Sequence, residues 1–162
     1  MREVDHLTVE VFRDADRKDT SLDLAMPGID LVRSHDVPLQ VIRSDRLLRV
    51  ARPEDDSVVA NKIRWPKLGA DLNIVLTNRP LFDTAPSSSQ DSLYARQDRL
   101  GVALYSDRPL ANKIALIGLG EMGHSDLTVA HEMAHLLNVQ PTNAVEGNQR
   151  HCAAERCVMH PV

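Results

Sequence analysis

Runs of apolar residues, some of them alternating with polar ones, recur along the chain and predict several β-strands. Residues 6–12, "HLTVEVF", alternate and are rich in β-branched side chains, which is typical of a strand with one buried face. Residues 71–78, "DLNIVLTN", are almost continuously apolar at their centre and predict a buried strand. By the same criteria, further strands are predicted in residues 39–50 (one or two short strands), 100–107 and 112–119.

Two segments show helical signals. Residues 27–36 begin with Pro27, and proline favours the first turn of a helix. Residues 125–138 are a stronger case, because Ser125 or Asp126 can cap the start and apolar residues recur at spacings of three and four. The predicted apolar face consists of Leu127, Ala130, Ala134 and Leu137. Many strands with few helices predict an α/β or α+β fold, and a chain of 162 residues suits a single domain, 1–162.

Composition narrows the classes of function. Hydrophobic residues make up 43% and charged residues 26%, which is ordinary for a soluble globular protein. The net charge is −4 and no basic block occurs, so we expect neither nucleic-acid binding nor an electrostatic membrane contact. No stretch approaches the roughly 18 apolar residues of a membrane span, and the first residues lack a signal-peptide core. A cytoplasmic protein is therefore expected.

A glycine motif raises the possibility of a nucleotide site. Gly118, Gly120 and Gly123 form G-x-G-x-x-G between a predicted strand and a predicted helix, as in dinucleotide-binding domains. That motif belongs at the start of a doubly wound sheet, whereas here at least four predicted strands precede it and few residues follow. We therefore interpret it as a strand-to-helix turn, and a nucleotide-binding oxidoreductase is disfavoured.

The helix that follows carries H-E-x-x-H at His131, Glu132 and His135. Residues four apart lie on one face of a helix, so the two imidazoles can reach a single ion. Glu132 lies one position further round and can reach a water on that ion without binding the ion itself. This is the arrangement of zinc hydrolases, in which the glutamate serves as general base.

A catalytic zinc needs a third protein ligand. The helix can stop at Asn138, because asparagine tolerates the left-handed conformation that ends helices. Pro141, which follows soon after, cannot bind metal. The candidates further along the chain are Glu146 and His151.

The segment "RHCAAERCVMH", residues 150–160, together with H-E-x-x-H, resembles the archaemetzincin family of zinc metallopeptidases. The resemblance implies a zincin-like fold, a mixed twisted sheet with an active-site helix and a cleft beside an edge strand. Residues 99–107 are our candidate for that edge. It also implies roles for individual residues: His131, His135 and His151 as the zinc ligands, Glu132 as the catalytic base, and Met159 in a methionine turn beneath the metal.

The sequence thus predicts a zinc-dependent metallopeptidase that acts on a peptide or protein substrate. The alternative is a catalytically inactive, zinc-stabilised binding or regulatory module of the same fold, which the long spacer between His135 and His151 favours. Cys152 and Cys157 can form a disulfide, remain two buried thiols, or bind a second metal together with His160. The oligomeric state is not indicated.

Overall fold

The part of the chain that the structure describes forms a mixed β-sheet with two α-helices. A computed structural model describes residues 6–82, 101–104, 113–119, 125–139, 144–145 and 148–152. In chain order, the elements are β1 (Leu7–Asp14), a 3-10 helix (Leu22–Ala25), α1 (Met26–Arg33), β2 (Leu39–Leu48), β3 (Val58–Val59), a 3-10 helix (Ala60–Lys62), β4 (Leu72–Thr77), β5 (Leu81–Phe82), β6 (Gly101–Leu104), β7 (Ile114–Gly118), α2 (Ser125–Leu136), β8 (Ala144–Val145) and β9 (Asn148–Cys152).

Five strands make the main sheet, in the order β2-β1-β4-β7-β6. The first four strands of this order run parallel, whereas β6 runs antiparallel to β7. Two small sheets, β3-β5 and β8-β9, complete the strands of the described residues. The coarse prediction of a mixed α/β architecture is confirmed. No helix in the described part of the chain is long and apolar enough to span a membrane.

Both faces of the main sheet are covered, which explains why β4 is apolar throughout. Side chains of β4 alternate between two clusters: Ile74 and Leu76 pack on one side, and Val75 on the other. The first cluster includes residues of α1 and α2. The second includes Phe12 of β1, apolar residues between β2 and β4, and Leu81 of β5. A parallel strand buried on both faces loses the apolar–polar alternation of a strand with one solvent face. All six residues of β4 are accordingly buried.

Most predicted strands occur close to their predicted positions. Residues 39–50 contain one ten-residue strand, β2, which lies at an edge of the main sheet and is mostly exposed or half-buried. The pairing of β2 with β1 shifts register between Val11 and Arg13. The first helix begins at Met26 with Pro27 in its first turn, as predicted, and a 3-10 helix precedes it. Of residues 100–107, only β6 falls within the described ranges.

A buried arginine joins the carboxyl ends of β1 and β4. Arg79 is 1% exposed, and its guanidinium contacts Asp14 (Nε to Oδ2, 3.1 Å) and Asp16 (Nη2 to Oδ2, 2.9 Å). The contact with Asp14 is an ion pair without a hydrogen bond, because the hydrogen on Nε does not point at the carboxylate oxygen. Asp14 is fully buried and also accepts a hydrogen bond from the hydroxyl of Thr77 (2.9 Å). The two strands are therefore linked through side chains as well as through the sheet.

The same arginine holds a surface loop. Nη1 of Arg79 donates to the carbonyl oxygens of Arg52 (2.9 Å) and Asp55 (3.2 Å). On the outside of this loop, the guanidinium of Arg52 hydrogen-bonds the carboxylate of Asp55, which lowers the pKa of Asp55 and raises that of Arg52. The loop carbonyls thus accept hydrogen bonds from a guanidinium whose side chain is fully buried.

Candidate metal centre

The predicted metal-binding residues lie on α2, which is enclosed on several sides. The helix packs against α1, β6 and β7. The apolar face predicted from spacing is only partly correct, because Leu127 is 50% exposed, whereas Ala130 and Ala134 are buried as expected. Val129, Met133 and Leu136 are buried as well. A helix with neighbours around it buries more than one stripe of side chains.

Polar side chains of α2 share this enclosure. Thr128, His131 and Glu132 are all buried, with His131 at 3% and Glu132 at 5% exposure, while His135 is half-buried. Burying a polar group costs free energy unless the group bonds to a partner, so buried polar side chains in proteins are usually hydrogen-bonded. The helix therefore carries its chemistry-bearing residues inside the protein.

The end of α2 is fixed by the asparagine that the sequence predicted as its stop. Asn138 adopts a left-handed conformation with φ of 56°. Its N–H donates to the carbonyl of His135 (3.0 Å), and the N–H of Val139 donates to the carbonyl of Ala134 (2.9 Å). These two bonds are those of the Schellman motif. The last turn, which carries His135, is thus held in a defined geometry.

The imidazoles of His131 and His135 converge through their Nε2 atoms, which lie 3.1 Å apart. The ring centroids are 4.7 Å apart and the ring planes make an angle of 82°. Two nitrogens each about 2.0–2.1 Å from a tetrahedral zinc are about 3.3–3.4 Å apart. The observed 3.1 Å is slightly shorter than that spacing. The same separation also suits a hydrogen bond between the rings when the tautomers allow it.

The glutamate between them faces the sheet edge. The side chain of Glu132 lies against Gly101 at the start of β6, and that of Thr128 lies against the same glycine. Sequence reasoning did not single out Gly101 or Thr128. The sequence held only a weak indication of this contact. It consisted of a glycine near the start of a predicted strand and a threonine one helical turn before Glu132.

The other predicted site residues are only partly covered by the described ranges. The backbone of His151 and Cys152 belongs to β9, which pairs with β8 in antiparallel fashion. Gly118 ends β7. Within the ranges that the structure describes, no group of three His, Cys, Asp or Glu side chains that could hold a metal ion comes together. The imidazoles of His131 and His135 are the two predicted ligands that lie side by side there. The remaining predicted residues lie outside the described ranges: Gly120, Gly123, Glu146, Cys157, Met159 and His160.

Comparison with known proteins identifies no relative of this chain. No protein-family model, no curated protein and no solved structure matches the chain. The archaemetzincin resemblance therefore rests on two short sequence motifs, and the paired histidines of α2 are the structural observation that bears on it.

The choice of third ligand gives a direct prediction. Replacing His151 with alanine should weaken zinc binding by at least about 100-fold. Mutating a residue that only hydrogen-bonds a metal ligand lowers metal affinity by roughly 10–100-fold, and loss of a ligand should cost more. Competition with a chromophoric chelator measures this affinity. His35→Ala is the control, because His35 is exposed and lies far from α2 in the sequence. Unchanged affinity, or a comparable loss in Glu146→Ala instead, would show that His151 is not the third ligand.

Proposed function

We propose that the protein is a zinc-dependent metallopeptidase of zincin-like fold. The observation that carries this proposal is the convergence of the Nε2 atoms of His131 and His135 at 3.1 Å on a helix that also buries Glu132. Imidazole is a preferred zinc ligand. His131 is buried and His135 is half-buried, so the pair is partly shielded from bulk water. His151 is proposed as the third ligand.

Each residue of the helix has a distinct task in this proposal. His131 and His135 hold the ion, which when bound supplies a Lewis acid that polarises a carbonyl and acidifies water. The carboxylate of Glu132 accepts a proton from the attacking water and then delivers it to the leaving amine. Enclosure of Glu132 against β6 keeps that carboxylate close to one orientation, which favours a defined path for the proton.

Strand β6 is the proposed place for the substrate backbone. Among the described strands it is the terminal one of the main sheet, and it runs antiparallel to β7 and lies against α2. An edge strand presents backbone N–H and C=O groups to which an extended peptide can add as a further strand. A mixed sheet with such an edge beside the histidine-bearing helix is the arrangement that the archaemetzincin resemblance implies, and it supports the proposal.

A zinc-stabilised binding or regulatory module is the second candidate. The near-complete burial of Glu132 favours it, because a carboxylate shielded on this scale has little room for a water and a substrate. The long spacer formed by residues 136–150 favours it as well. In that case the ion contributes folding free energy and the chain has no hydrolytic activity.

Metal-dependent cleavage of peptides distinguishes the two candidates. The zinc-loaded protein, incubated with a mixed peptide library, should produce new amino termini detectable by mass spectrometry. Chelation should abolish this cleavage, and added zinc should restore it, because the two histidines cannot polarise a carbonyl by themselves. A protein that binds zinc and is destabilised by chelation, yet cleaves nothing in the library, would instead be the binding module.

A further inference from the structure

We propose that Gly101 is a positioning residue for Glu132, an inference that rests on the proposed function of that glutamate. A Cβ atom built on Gly101 would lie 2.7 Å from Cγ and 3.1 Å from Oε1 of Glu132, and 2.9 Å from Cγ2 of Thr128. The first and last of these distances are closer than carbon atoms approach without repulsion. The side chain of Glu132 therefore occupies the space that any other residue at position 101 would fill.

Backbone conformation does not account for the glycine. Gly101 does not adopt the left-handed φ values that favour glycine, so an alanine there would meet no backbone strain. Its backbone is also held in place, because Gly101 pairs with Ile117 in the antiparallel ladder of β6 and β7, and Ile117 is fully buried. The absence of a side chain at position 101 is explained by the contact with α2.

The contact restricts where the carboxylate of Glu132 can lie. Thr128 and Glu132 are one helical turn apart on α2. Both side chains pack against the backbone of Gly101. Glu132 is buried and cannot turn towards bulk solvent to avoid an obstacle. A methyl group on residue 101 would push Cγ and Oε1 away from the strand, and the proton acceptor would move with them.

A double-mutant cycle on the metal-free protein tests the contact without reference to activity. Gly101→Ala should reduce the folding equilibrium constant by about tenfold or more, the usual effect of overfilling a packed site. In a Glu132→Ala background, where Cγ and Oε1 are gone, the same substitution should cost several-fold less. Gly69→Ala is the matched control, because a Cβ there meets no atom within 4 Å. Equal costs in both backgrounds would overturn the proposal.

Kinetics then test positioning. With zinc bound, Gly101→Ala should lower kcat by about 10–100-fold, since small displacements of a reacting group have effects of this size, and leave KM and zinc affinity unchanged. Unchanged kcat, or loss through KM instead, would contradict positioning. Wild-type protein without peptidase activity would remove the proposed function, and the folding cycle alone would then decide whether Gly101 fixes Glu132.

Discussion

Glu132→Gln is expected to lower the rate of peptide hydrolysis by about 10²–10⁴-fold, the usual contribution of a general base. Glutamine fills the same space beside Gly101 but cannot accept the proton of the attacking water. Zinc content should not change, because Glu132 is not one of the proposed ligands. Single-turnover cleavage of the best library peptide, together with metal analysis of the same sample, measures both quantities.

A surface glutamate provides the control for this substitution. Glu54 is exposed and contacts only Arg52 among the ion pairs of the described residues, so Glu54→Gln should retain full activity. Equal activity of Glu132→Gln and wild type would mean that another group activates water. Loss of zinc together with activity in Glu132→Gln would mean that the glutamate acts as a ligand or that the helix is perturbed.

Arg79→Met is expected to lower the free energy of unfolding by about 3–5 kcal/mol, the cost of breaking a buried ion pair by removing one partner. The substitution leaves the carboxylate of Asp14 buried beside Thr77 without a cation. It also removes the donor that serves the carbonyls of Arg52 and Asp55. Urea unfolding followed by circular dichroism measures the change.

Arg49→Met is the matched control. Arg49 contacts Asp16 (Nη1 to Oδ2, 3.2 Å), as Arg79 does, but from the exposed surface. An exposed pair contributes at most about 1 kcal/mol, so this variant should unfold close to wild type. Adding Asp14→Asn to Arg79→Met should recover part of the loss, since no buried charge then remains unpaired. Equal effects of Arg79→Met and Arg49→Met would show that the buried cluster does not stabilise the fold.

Local patterns predicted the elements well where each element depends on its own residues. The alternation of β1 and the apolar runs of β4 and β7 gave strands within a few residues of their positions. The stop of α2 at Asn138 followed from the chemistry of one residue. The apolar face of α2 was less accurate at Leu127, because a helix with neighbours on several sides does not follow a single stripe.

Features that depend on distant parts of the chain were not predicted. The contacts of Arg79 with Asp14 and Asp16 join residues more than 60 positions apart, and no periodicity indicates such a pair. The approach of Gly101 to Glu132 likewise exists only because β6 pairs with β7 and α2 packs over both. The proximity of His131 and His135, in contrast, follows from helix geometry alone, which is why the sequence predicted that the two imidazoles lie together.

Zinc stoichiometry tests the central claim most directly. Metal-free wild-type protein, titrated with zinc and desalted, should retain about one zinc per chain, as expected for a single site. His131→Ala should retain none under the same conditions, because one nitrogen of the converging pair is gone, whereas His35→Ala should match wild type. Wild-type protein that retains no zinc, or His131→Ala protein that retains as much as wild type, would contradict the assignment of α2 as a metal-binding helix.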